Sequence, residues 1–139
     1  MTQHDTHAVV DAYFDAWNRH DLDAIADSVA DDYQLESQMY PAPIEGPDGI
    51  RQFAEGYITA FPDIHFEVTD QIASGDLVAS AWVGTGTHEG DLSGIPPTGR
   101  RVEIHGCNIT RVRNGKIVQS RIYWDSATLM RQLGVMPGA

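Results

Sequence analysis

Between residues 5 and 19 the chain reads DTHAVVDAYFDAWNR, and its large apolar positions, Val9, Val10, Tyr13, Phe14 and Trp17, recur at spacings of three and four. That period predicts an amphipathic helix, with Asp5 or Thr6 able to cap it. His20-Asp21 breaks the pattern. LDAIADSVA then predicts a second short helix with Leu22, Ile25, Ala26 and Val29 on one face, and Tyr33 to Ser37 reads as a strand. Residues 41–49, PAPIEGPDG, are loop and turn by their proline and glycine content. Ile50, Phe53, Ala54, Tyr57 and Ile58 mark a third helix, which ends at Phe61 because Pro62 disfavours helical geometry there.

The second half alternates with period two. Ile64 to Ala73, a turn at Ser74-Gly75-Asp76, and Leu77 to Thr87 form one hairpin. GDLSGIPPTGRR is a loop. Val102 to Val112 and Ile117 to Asp125 form a second hairpin around Asn114-Gly115, and Ser126 to Leu133 is a last short helix stopped by Gly134. Helices first and antiparallel strands after them predict an α+β domain, with three N-terminal helices packed on one face of a curved antiparallel sheet. Residues 1–139 read as one domain.

The Asn114-Gly115 turn permits two registers. A two-residue loop pairs Arg113 with Lys116, and a three-residue loop pairs Val112 with Lys116. A slip of one residue flips a strand's faces relative to its partner. The second register separates polarity better. It gathers Ile104, Val112, Val118, Ile122 and Trp124 on one face, and His105, Cys107, Ile109, Arg111, Arg121, Tyr123 and Asp125 on the other. It sets Tyr123 opposite His105. Which face meets the helices stays open, and the apolar one is either core or a dimer contact.

Charge narrows the partners. Twenty acidic against nine basic residues give a net charge of −11, which lacks the cationic footprint that nucleic acid or an anionic membrane requires. Apolar residues make up 42%, enough for a packed core. One cysteine, Cys107, excludes an internal disulfide, and the start carries no secretory pattern, so a cytoplasmic location is expected. The six histidines form no zinc-type spacing, and no phosphate loop or dinucleotide fingerprint appears. No metal or organic cofactor is expected.

WNRHDLDAIADSVADDY, AFPDIHFEV, GTHEGDLSGIPPTGRRVEI, VRNGKI and YWD…LMRQLG together resemble the SnoaL-like polyketide cyclase branch of the NTF2-like superfamily, from about Tyr13 to Gly134. The resemblance implies a cone of three helices against a strongly curved sheet, an apolar pocket and usually a homodimer. It implies a carboxylate acid/base at the end of the last long strand, where Asp125 stands, a histidine on the neighbouring strand, for which His105 is the candidate, and a first-helix tyrosine, Tyr13. The family's pocket asparagine near the second strand has no clear counterpart, and Ser37, Gln38 and Tyr40 occupy that stretch.

Such a site would act without cofactor on a hydrophobic, carbonyl-rich small molecule by intramolecular aldol-type ring closure. Epoxide hydrolysis, double-bond isomerisation and non-catalytic binding of a small ligand are the alternatives. Between aromatics, Asp125 is either a desolvated base with a raised pKa or the cap of the last helix. His105 is either an oxyanion donor or an ordinary strand histidine. Trp17, Phe53, Tyr57 and Trp82 are candidate pocket walls, His88 a rim or loop residue, Tyr123 a neighbour of Asp125, and Arg121 an ion-pair partner or substrate contact.

Overall fold

A computed structural model of the chain, describing residues 3–135, begins with α1 (Gln3–Asn18), whose Val10, Tyr13, Phe14 and Trp17 are buried. His20 adopts a left-handed conformation at φ 56° and turns the chain. Asp21 then caps α2 (Leu22–Asp27) by accepting from the Ala24 backbone N–H at 3.0 Å. The helix is shorter than its apolar spacing predicts, because Val29 already opens β1 (Val29–Glu36). The stretch expected to be wholly loop contains the two-residue β2 (Ile44–Glu45). It also contains the start of α3 (Gly46–Ala60), where Pro47 stands in the first turn, a place that needs no N–H.

The long strands are β3 (His65–Ser74), β4 (Leu77–Thr87), β5 (Arg101–Arg113) and β6 (Lys116–Trp124), followed by α4 (Ser126–Leu133). The sheet order is β2-β1-β6-β5-β4-β3. Every pair is antiparallel except β1 with β6, so the sheet is mixed rather than purely antiparallel. The physical reason is connectivity: the chain between β1 and β6 is long enough to cross over, which a tight turn forbids.

The β5–β6 register differs from expectation. Asn114 (φ 52°) and Gly115 (φ 76°) both lie in the left-handed region of a two-residue type I′ turn, and Arg113 pairs with Lys116. A bulge follows, since Val112 pairs with Ile117 but Arg111 pairs with Gln119. The extra residue, Val118, restores the polarity-segregated faces beyond it. Ile117 replaces Val118 beside Val112 in the core, and Tyr123 pairs with Cys107 rather than His105.

The face of Ile104, Asn108, Ile122 and Trp124 looks toward the helices. The apolar face once open to a dimer reading is therefore core. The outward face carries Tyr123, 49% exposed, and on β3 Ile72, 72% exposed. Two clamps hold the helices over the inner face. The Asn18 side chain accepts from Phe66 N–H at 2.7 Å and donates to Phe66 C=O at 2.9 Å, fixing the end of α1 on β3. The Gln132 side chain does the same with the Glu103 backbone at 2.8 and 3.0 Å, fixing α4 on β5. Among the described residues no helix is long and apolar enough to cross a membrane, and no group of three His, Cys, Asp or Glu is placed to hold a metal.

Candidate functional site

The clamps leave a cavity of about 100 Å³ between the helices and the inner sheet face. Aromatic rings build its wall, mostly in edge-to-face contact. Trp17 meets Phe53 and Phe66, Phe66 meets Trp82, and Tyr57 meets both Phe53 and Trp124. Phe61, Ile104, Ile122 and Leu129 close further sides. β4 contributes Gly84 and Gly86 at inward positions, so the floor there is backbone.

The polar groups of the lining are few. Tyr13 and Tyr57 bring hydroxyls, and burial pushes the Tyr13 phenol up to about 12 and the Tyr57 phenol up as well. Both stay protonated near neutral pH, so each hydroxyl is able to donate. The Tyr57 hydroxyl lies 2.7 Å from that of Tyr40, which stacks edge-on against Phe53. Asn108, 5% exposed, accepts from the Trp82 indole N–H at 3.0 Å. Among the described residues, the lining holds no carboxylate, imidazole, lysine or arginine.

The sequence-derived candidates divide accordingly. Tyr13, Trp17, Phe53, Tyr57 and Trp82 line the cavity together. Asp125, His105, Arg121 and Tyr123 stand on the exposed side of the sheet or just past it. Asp125 caps α4, accepting from the Thr128 backbone N–H at 2.9 Å and the Thr128 hydroxyl at 2.6 Å. These hydrogen bonds, with Arg131 nearby, hold its carboxyl below the usual value, the reverse of the raised pKa that a desolvated base requires. His105 pairs across the sheet with Val83. Among the described residues Arg121 makes no ion pair with Asp125; the carboxylate's partners are those of the cap.

His88 is fully buried, continuing the inward series of β4 beyond Gly86 and stacking on Phe61. Its Nδ1 accepts from the Thr98 N–H at 3.2 Å, which leaves the proton on Nε2, and that atom meets no partner among the described residues. It is not part of the cavity lining.

Sequence reasoning missed Asn108, Phe14, Phe61 and Phe66 as lining residues. The signal for Asn108 was present: it has the parity of Ile104 and Ile122, a polar residue in the middle of an apolar face.

The profile described as SnoaL-like polyketide cyclase matches residues 7–133. The aklanonic acid methyl ester cyclase DauD of Streptomyces sp. (strain C5) is 28% identical over 122 residues, covering 86% of this chain and 76% of DauD. Among solved structures, AclR of Streptomyces galilaeus, a candidate hydroxylase, superposes with a TM-score of 0.88 at 30% identity, covering 99% of this chain and 86% of AclR. IdmH of Streptomyces antibioticus, a candidate polyketide cyclase, gives 0.80 at 31% identity, covering 94% of this chain and 99% of IdmH.

Proposed function

The chain belongs to the SnoaL-like polyketide cyclase family, and on that premise we propose that it is a cofactor-independent enzyme closing a ring within a hydrophobic, carbonyl-rich small molecule held in the aromatic cavity. The observation that carries this reading is the lining itself, apolar walls with protonated hydroxyl donors at Tyr13 and Tyr57. Such a lining excludes water, folds an apolar chain on itself and stabilises negative charge developing on a carbonyl oxygen.

The step is an intramolecular aldol closure. A C–H between two substrate carbonyls loses its proton to water at the cavity mouth. The enolate carbon bonds to a second carbonyl carbon of the same molecule, and that carbonyl's π bond opens to an alkoxide. The alkoxide takes a proton from a tyrosine hydroxyl, which solvent restores. Atoms balance as an isomerisation, so no cofactor is consumed. In this reading Asp125 caps a helix, and a homodimer, checked by light scattering, would form through the outward sheet face.

A second reading, a non-catalytic carrier for the same kind of ligand, is favoured by the absence of a carboxylate or imidazole from the described lining. One experiment separates them. Wild type, Tyr13→Phe and Asp125→Asn are assayed on a panel of polyketide methyl esters, epoxides and enones. Ring closure slowed by Tyr13→Phe and retained by Asp125→Asn supports the proposal. Ring closure lost only in Asp125→Asn, with an unchanged melt, returns the acid/base role to Asp125. Ligand binding without turnover supports the carrier.

A further inference from the structure

We infer that Trp82 is a positioning residue that aims the Asn108 side-chain amide into the cavity, so that the site selects a neutral ligand by one carbonyl oxygen. The inference rests on the ligand class proposed above and names the group that reads it.

Trp82 on β4 pairs across the sheet with Gly106 on β5, and Asn108 follows two positions along the same inward face. Gly106 is what lets the indole lie against β5. A Cβ at that position would stand 2.3 Å from Trp82 Cζ2 and 2.5 Å from Cη2, closer than atoms can approach. Lying there, the ring delivers its N–H to Asn108 Oδ1 at 3.0 Å. Indole nitrogen only donates, so the facing atom of the amide must be its oxygen. The planar amide then turns its NH₂ away from Trp82.

That NH₂ meets no acceptor among the described residues, and Asn108 is a lining residue of the cavity. It also keeps some accessible surface, since it is absent from the buried atoms left without partners. A fixed donor set among aromatic walls rejects ligands that leave it unpaired, because a desolvated N–H without an acceptor is costly. Being uncharged, it cannot offset the desolvation of a carboxylate, and it gives an ammonium no acceptor. The chemistry it recognises is a carbonyl oxygen on an aromatic or polyenic neutral molecule.

The test uses two probes of the same shape, 2-acetylnaphthalene and 2-isopropenylnaphthalene, in which a methylene replaces the carbonyl oxygen. Binding is read from the fluorescence of Trp17, Trp82 and Trp124 in wild type, and by competition with a bound dye in variants lacking one of them. Wild type should prefer the ketone about five- to tenfold, the range of one neutral hydrogen bond. Its bound carbonyl stretch should move to lower wavenumber than in hexane. Asn108→Leu should remove most of the preference and of the shift, leaving only what the Tyr13 and Tyr57 hydroxyls supply, while still binding the alkene. Trp82→Phe should keep most of the wall and lose most of the preference, with a broadened carbonyl band from an amide free to rotate. An unchanged preference in Asn108→Leu, or equal affinity of wild type for both probes, overturns the inference and leaves the apolar-ligand reading standing. Failure of wild type to bind either probe overturns both. If Trp82→Phe does not fold, Asn108→Leu decides the donor, and Trp82→His, which keeps a ring N–H, decides the positioning role by retaining or losing the shift.

Discussion

Asp125 and Thr128 hold each other twice, through the Thr128 backbone N–H at 2.9 Å and its hydroxyl at 2.6 Å, at the junction of β6 and α4. The carboxylate that closes YWD is therefore committed to a helix start in solvent, one residue past Trp124, which faces the cavity.

Asp125→Asn should retain most of this cap, since asparagine is an equally good N-cap, whereas Asp125→Ala should lower the melting midpoint by a few degrees. Paired thermal melts check it. Equal melts for the alanine and asparagine variants would show that the cap contributes nothing.

Acid should weaken the same junction. The Thr128 bonds lower Asp125, and bonds from the Thr87 backbone and hydroxyl lower Asp63, each below the ordinary 3.8. The unfolded chain then binds more protons than the folded chain as pH falls below that value. The stabilisation is present above about pH 4 and is lost as pH falls through the folded values. Denaturant midpoints between pH 6 and pH 2.5 should drop at the acid end, and the drop should shrink in an Asp63→Asn, Asp125→Asn double variant.

Gly106→Ala should cost about 1–3 kcal/mol, the usual cost of forcing an atom into a filled space. The added methyl would meet Trp82 at 2.3 Å. Urea unfolding measures it, and Trp82→Phe in the same chain should relieve part of the loss. Additive losses would show that the two residues do not share the space.

Tyr33→Phe should hold stability or raise it by about 1 kcal/mol. The Tyr33 hydroxyl is fully buried near Ser120 and Tyr13 but meets neither with hydrogen-bond geometry. Removing an unsatisfied buried hydroxyl removes its desolvation cost. A loss above about 1 kcal/mol in urea unfolding would show that the hydroxyl is bonded in solution.

Local pattern carried much of this protein. Helical spacing in α1 and α3, the Gly134 stop (φ 76°) and the period-two runs of β3 to β6 follow from short-range sterics and solvation, which a single segment contains. Alternation also sorted Ile104, Ile122 and Trp124 from His105, Tyr123 and Asp125. It could not say which set looks inward, because period two divides a strand into faces without giving them a direction. That direction came from α1 and α4, clamped onto β3 and β5 through Asn18 and Gln132. The β5–β6 register likewise needed tertiary structure. The type I′ turn alone sets one parity, and the bulge at Val118 resets it so that Ile117 and Ile122 both reach the core. The meeting of Trp82 with Asn108, 26 residues apart, depends on cross-strand pairing and on the bare backbone at Gly106, a coincidence of two strands that neither strand's pattern contains.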